Sequence, residues 1–178
     1  GENPQEVTGL DADLRFTCTQ SGHTTFRGAS LHFQSGATGL IDHRGDLLLL
    51  EGELSYAPAP GDEPDALLSI RFLRGHIPLT GRGRVWLNEN GELRTLNTGE
   101  KAVLVKIDRS SVSLEVGQLL RLDGERLQIF KPSGDPAHVD ISQPWPLAGR
   151  DLVPVSDNRR STRLQRPEIQ RELATDRV

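Results

Sequence analysis

The sequence predicts an all-β fold, an antiparallel sandwich or barrel within one domain. Apolar and polar residues alternate in many short stretches, and a period of two is typical of half-buried strands. Turns that contain Gly, Asp or Asn separate about ten such stretches, at spacings of roughly 8 to 12 residues. Before residue 160, no interval has the period of a long amphipathic helix. Together these observations favour a sheet-on-sheet protein.

The candidate strands follow one another along most of the chain. They are residues 14–18, 31–33, 54–56, 70–72, 85–87, 103–107, 112–116, 127–130 and 139–141. In the first, Cys18 has the same parity as Leu14 and Phe16, so we expect its thiol to face the core. Residues 57–65 are acidic and rich in proline, which predicts a long surface loop because proline has no backbone N–H.

Two hairpin turns share one pattern. Asp42 and Asn88 stand at the first turn position, and Gly45 and Gly91 stand at the fourth. An Asp or Asn side chain accepts a backbone N–H two residues on, and glycine enters the left-handed region without steric cost. We therefore predict two type I turns that continue through a left-handed glycine. The offset between the turns is consistent with a pseudo-duplicated fold and, equally, with convergent turn chemistry.

The ends differ from the middle of the chain. We divide the sequence into a polar leader arm (residues 1–9), a single β domain (residues 10–155) and an Arg-rich tail (residues 156–178). Residues 167–173 have the pattern of a short helix that begins at a proline, and a disordered tail is the alternative. Because the chain begins at Gly1 and contains no methionine, we expect a processed form.

Charge and composition exclude several classes of protein. The 21 Lys and Arg residues against 25 Asp and Glu residues give a net charge of -4, which argues against nucleic acid as a partner. The single cysteine excludes an internal disulfide and a cysteine-based zinc site. The longest apolar run, residues 47–50, is far shorter than the roughly 20 residues of a transmembrane helix. We expect a soluble protein and favour a cytoplasmic location, with a secreted or periplasmic location as the alternative.

The titratable residues give weak candidates for chemistry. The five histidines are scattered, and the best metal candidate joins His32, His43 and Asp46. The alternative is that these residues lie on an exposed strand and turn. An enzymatic interpretation would use His43, Asp46 and His138. We expect neither interpretation to hold, and hence no catalytic residue, no metal and no cofactor.

Arginine and tryptophan residues give the best candidates for recognition. Four arginines crowd a short interval, where they could bind a small anion or an acidic partner. Two tryptophans could anchor a partner, because tryptophan is enriched in binding hot spots; alternatively, the second, between two prolines, caps the β core. The possible interaction surface comprises Arg71, Arg74, Arg82, Arg84, Trp86 and Trp145.

About a quarter of the chain, residues 73–116, resembles a known family. Residues 81–87 read Gly-x-Gly-x-Val-x-Leu, residues 91–93 read Gly-x-Leu, and Gly-Glu opens residues 99–105. This series is similar to that of the mitochondrial-biogenesis family named for altered inheritance of mitochondria, which has bacterial relatives. The resemblance implies a pseudo-symmetric β-sandwich that assembles into rings or trimers, and it carries over no catalytic residue.

A second resemblance concerns residues 120–141, which are similar to the repeat of lipopolysaccharide-transport β-jellyroll proteins. It implies an apolar groove that holds an acyl chain. The sequence thus leads to a non-enzymatic scaffold or protein-interaction module that self-associates as a homo-oligomer or binds a protein partner. The alternative is an envelope-associated carrier of a lipid or another hydrophobic ligand.

Overall fold

The computed structural model describes residues 13–61, 69–147 and 149–155, and most of these residues lie in β-strands. The strands are β1 (Leu14–Thr17), β2 (Gly22–Phe26), β3 (Ala29–Phe33), β4 (Thr38–Ile41), β5 (Leu47–Pro58), β6 (Ser69–Phe72), β7 (Gly75–Pro78), β8 (Gly83–Leu87), β9 (Leu93–Asn97), β10 (Val103–Ile107), β11 (Ser110–Leu114), β12 (Leu119–Asp123), β13 (Arg126–Pro132) and β14 (Leu152–Pro154). A single turn of 3-10 helix spans Pro136–His138. The all-β prediction is confirmed.

The strands form two sheets that share β5. Sheet A has the order β1-β4-β5-β6-β7-β10-β11, and sheet B has the order β2-β3-β5-β8-β9-β12-β13-β14. β5 passes from sheet A to sheet B near Gly52, which has a φ of 107°. A Cβ atom there would lie 2.5 Å from the Cα of Ala37, so only glycine fits this crossing point.

Three local expectations need correction. β5 and β6 pair in parallel, whereas all other strand pairs among the described residues are antiparallel. Ala57 and Pro58 belong to β5 and not to a loop, because the pairing with β3 continues to the end of the strand. Residues 139–141 form no strand, since the Asp140 carboxylate accepts the N–H of Ser142 and turns the chain.

The hydrophobic residues form two separate cores. The larger core lies between the sheets, and Leu31, Leu54, Ile70, Val105 and Leu122 are among its fully buried members. The smaller core lies on the outer face of sheet B, under the segment that follows β13. Its buried members are Leu96, Leu119, Val139, Ile141 and Leu147. The alternation at residues 139–141 therefore reflects burial against the sheet and not strand pairing.

Both predicted hairpin turns adopt the same geometry. The Asp42 carboxylate accepts the N–H groups of residues 44 and 46 at 2.9 Å, and the Asn88 side-chain oxygen accepts those of residues 90 and 92 at 2.9 Å. Gly45 and Gly91 have φ values of 82° and 85°. The predicted left-handed glycines are confirmed.

A longer internal repeat relates the two parts of the chain. The unit β2, β3 and β4 recurs at a constant offset as β10, β11 and β12, with the same two-residue and four-residue connections. The strands before each unit also correspond, because β1 pairs with β4 as β9 pairs with β12. The chain is thus pseudo-duplicated, with a period longer than the offset between the two hairpin turns.

The predicted leader arm and Arg-rich tail lie outside the described residues, as do residues 62–65 of the proline-rich loop. Within the described ranges, no helix has the length and hydropathy needed to cross a membrane.

Candidate functional site

The outer face of sheet B is divided into two unlike halves. We call the outward positions of β8, β9 and β12 the covered half, because residues 133–147 pack on them. We call the outward positions of β2, β3 and the second part of β5 the open half, since no other described segment crosses it. The open half comprises His23, Thr25, Ser30, His32 and Ser55.

Arg94 holds the covered half together. Its side chain is only 3% exposed, and its guanidinium lies 4.2 Å from the ring centre of Trp86 and 5.3 Å from that of Trp145. It donates to Glu92 Oε2 at 2.7 Å, to the carbonyl of Ile141 at 2.8 Å and to the carbonyl of Gln143. A buried charge with this many partners fixes the overlying segment to the sheet.

Arg121 forms a second layer around the same carboxylate. It donates to Glu92 Oε2 at 2.9 Å and to Asp123 at 3.1 Å, and its guanidinium lies 4.4 Å from the ring centre of Trp145. Burial alone would raise the pKa of Glu92, but hydrogen bonds from Arg94 and Arg121 outweigh it and lower that pKa. We call these residues, Trp86, Glu92, Arg94, Arg121 and Trp145, the clamp.

The open half carries a cross-strand histidine pair. His23 on β2 faces His32 on β3, and their nearest ring nitrogens are 3.0 Å apart. Ser55 on β5 stands opposite His32, and beside the pair Ser21 donates to the side chain of Gln34 at 3.3 Å. The pKa of His32 is lowered mainly by burial and, to a smaller extent, by the neighbouring His23. This surface is polar, and its side chains are short.

Glu53 marks the boundary between the halves. Burial raises its pKa, Arg84 opposes that effect and Asp140 adds to it. Its Oε1 atom is buried and has no hydrogen-bond partner among the described residues. Arg84 donates to the carbonyl of Pro136 at 2.8 Å. This bond attaches the 3-10 turn to β8, the strand that lies next to the open half.

The predicted arginines lie on two sheets. On sheet A, Arg71 pairs with Asp46 at 3.6 Å, and Arg74 pairs with Asp108 at 2.9 Å. Arg84 lies on sheet B in β8, and Arg82 is exposed just before that strand. The anion site stays a prediction. Trp86 and Trp145 come together, but both are half-buried in the clamp.

The metal and enzymatic candidates do not converge. Each histidine has a different neighbour: His32 contacts His23, His43 lies 3.3 Å from Asp13, and His138 lies 3.9 Å from Asp135. Asp46 instead pairs with Arg27 and Arg71. Among the described residues, no group of three or more His, Cys, Asp or Glu side chains could hold a metal ion. The candidate residues His32, His43 and Asp46 therefore do not come together.

Sequence reasoning missed Glu92, Arg94, Arg121 and His23. The sequence did carry a signal that this part of sheet B is covered. Leu93 and Leu96 occupy positions of opposite parity in β9, so their side chains face opposite sides of the sheet, and both are buried. Apolar residues of both parities indicate a strand that is covered on both faces. The signal for His23 was the two-residue turn after Phe26, which fixes the register of the hairpin.

Comparison with known proteins gives a fold and no family. No family model and no curated protein matches the chain. Two crystal structures of a putative anti-sigma factor from Parabacteroides distasonis ATCC 8503 match at 13% and 12% identity, each with a TM-score of 0.51. In each case the match covers 66% of this chain and 57% of the other. These structures share the fold, and the resemblance of residues 73–116 to the mitochondrial-biogenesis family stays a prediction.

Proposed function

We propose that this chain is a non-enzymatic protein-interaction module that self-associates through β2 and the open half beside it. The observation that carries the proposal is the position of β2, which forms one edge of sheet B next to an exposed polar surface. An edge strand presents unpaired N–H and C=O groups that can pair with another strand. Natural proteins block such edges with charges or proline, and Gly22–Phe26 contains neither.

The other sheet edges differ from β2. β1 carries Arg15 and β14 ends at Pro154, and both residue types oppose pairing with a further strand. β11 also lacks charge and proline, but Lys106 of the adjacent β10 stands opposite Ser111 and places a charge beside that edge. Among the described strands, β2 therefore combines an edge without charge or proline with an uncharged surface on which a partner can rest.

Two copies can pair through β2 in an antiparallel arrangement about a two-fold axis. The same residues then contribute from both copies, as in most homodimers. Phe26 and Ala29 close the turn as a hydrogen-bonded pair, and hydrogen-bonded and non-hydrogen-bonded pairs alternate along the hairpin. The N–H groups of residues 23 and 25 therefore point away from β3 and are available to the second copy. The pairing would extend sheet B across the dimer.

The structural comparison supports a protein partner. The two structures that share the fold are described as putative anti-sigma factors, a class that acts on another protein. The same fold is therefore compatible with protein binding in this chain.

The test is sedimentation velocity over a concentration series on three proteins. Thr25→Pro removes an outward N–H group from β2, and Ser113→Pro removes the corresponding group from β11 as a matched control. We expect a dimer for the wild type and for Ser113→Pro, and a monomer for Thr25→Pro. Circular dichroism checks that both variants fold.

Other outcomes would change the proposal. A wild type that stays monomeric at every concentration, or a dimer that only Ser113→Pro disrupts, would contradict self-association through β2. A ring or trimer would instead support the resemblance of residues 73–116 to the mitochondrial-biogenesis family. A monomer that carries a stoichiometric small-molecule adduct in native mass spectrometry would favour the lipid carrier.

A further inference from the structure

The hairpin of β2 and β3 is built in a way that brings two imidazoles together. Its two-residue turn consists of Arg27 and Gly28, with φ values of 50° and 86°, as a type I′ turn requires. This turn pairs Phe26 with Ala29 and, three residues further on, His23 with His32. By alternation from the turn, the histidines form a non-hydrogen-bonded pair, in which facing side chains stand closest.

The distances between the ring nitrogens fit a shared metal ion. Nδ1 of His32 lies 3.0 Å from Nε2 of His23 and 3.3 Å from its Nδ1. Two imidazole nitrogens bound to one tetrahedral Zn²⁺ at about 2.0–2.1 Å lie about 3.3–3.4 Å from each other. The nitrogen spacing is therefore close to that of two ligands of one ion. The rings themselves lie 4.1 Å apart between centres and are tilted by 48°, so one ring must turn to aim its lone pair at the metal.

We propose that His23 and His32 bind one divalent transition-metal ion, such as Zn²⁺, Ni²⁺ or Cu²⁺, on the open half of sheet B. Imidazole prefers these ions to Mg²⁺ or Ca²⁺, which take oxygen ligands. The two nitrogens supply two positions of a tetrahedral site, and water fills the others. Because both ligands lie in one hairpin, the site does not depend on self-association.

The chemistry of the pair suits this role. Imidazole binds a metal through a ring nitrogen that carries no proton. Without metal, one ring donates a proton to the other across the 3.0 Å contact. With metal, one ring turns so that a nitrogen of each histidine faces the ion, and both side chains stay on the same face of the hairpin.

The test is isothermal titration of Zn²⁺ into the full chain at pH 7.5, in a buffer that does not bind metal. We expect one ion per chain, and at least about a tenfold loss of affinity in His23→Gln and in His32→Gln. His43→Gln is the matched control, because His43 is also exposed but lies beside Asp13, and it should leave the affinity unchanged. Mg²⁺ should give no binding under the same conditions.

A second readout separates binding from folding. Zn²⁺ should raise the melting temperature of the wild type and of His43→Gln, and it should leave the melting temperatures of His23→Gln and His32→Gln unchanged. If the wild type binds no Zn²⁺, or if all four proteins bind it equally, the proposal is overturned. In that case the histidine pair is only a surface hydrogen bond.

Discussion

The two halves of the outer face of sheet B belong to one sheet and have opposite properties. The covered half consists of long side chains whose partners are distant in sequence, as when Arg94 bonds the carbonyl of Ile141. The open half consists of short polar side chains whose described partners lie on neighbouring strands, as when His23 meets His32. A half built from distant contacts stabilises the fold, whereas a half built from local contacts is free to bind a partner.

Removal of the Arg94 guanidinium should have the largest effect on stability. Arg94→Met leaves the Glu92 carboxylate with one arginine, and it removes the donor from the buried carbonyl of Ile141 and the half-buried carbonyl of Gln143. Loss of one partner from a buried ion pair costs about 3–5 kcal/mol, so we expect a drop of that size in the free energy of unfolding. Urea denaturation measures it.

The matched variant on the open half is Ser55→Ala. We expect it to change the free energy of unfolding by no more than about 0.5 kcal/mol, as surface substitutions usually do. If the two variants destabilise the protein equally, the division into halves has no energetic basis.

The smaller core gives the next largest effect. Leu147 is buried under the covered half, and Leu147→Ala should cost about 2–4 kcal/mol through lost contacts and a cavity. Leu73→Ala, at a leucine that is 85% exposed, removes the same atoms and should cost less than about 0.5 kcal/mol. Equal losses in urea denaturation would show that the overlying segment adds no stability.

Acid should weaken the clamp. Since hydrogen bonds from the arginines lower the pKa of Glu92 in the folded state, its charge stabilises the protein above its ordinary pKa of 4.5. That contribution is lost as the pH falls through the folded-state pKa. The melting temperature of the wild type should therefore exceed that of Glu92→Gln at pH 7, and the gap should close in acid. A gap that stays constant from pH 7 to pH 3 would contradict this role of Glu92.

The smallest effect is expected at the boundary between the halves. The buried Oε1 atom of Glu53 has no hydrogen-bond partner in the described part of the chain, and burial raises the pKa of the side chain. Its charge therefore disfavours folding at neutral pH, and the penalty is relieved as the pH falls through the raised pKa. Glu53→Gln should raise the free energy of unfolding at pH 7 by less than about 1 kcal/mol. A decrease would mean that the attraction between the charges of Glu53 and Arg84 outweighs the burial of Glu53.

Much of the fold could be predicted from the sequence, because alternation and turn chemistry are local. The Asp42 and Asn88 turns follow from two residues each, and the strand at residues 103–107 has a pattern that only a half-buried strand produces. Residues 139–141 misled the prediction because burial against an outer face gives the same alternation as a strand.

The site was harder to predict, because it depends on contacts between distant parts of the chain. The tryptophans at 86 and 145 were identified as candidates, but their meeting around Arg94 depends on the path of residues 133–147 over sheet B. The histidine pair was within reach of the sequence. Once β2 and the two-residue turn at Arg27 and Gly28 are identified, the register of the hairpin places His23 opposite His32.

The most direct test of the account is hydrogen exchange, followed by mass spectrometry at a low and a high protein concentration. We predict that amides of residues 22–26 gain protection at the higher concentration, because a second copy covers them. Amides of β8, β9 and β12 should be equally protected at both concentrations, because the clamp belongs to the single chain. The account would be contradicted if protection rose with concentration in β11 or in residues 136–147, and not in β2.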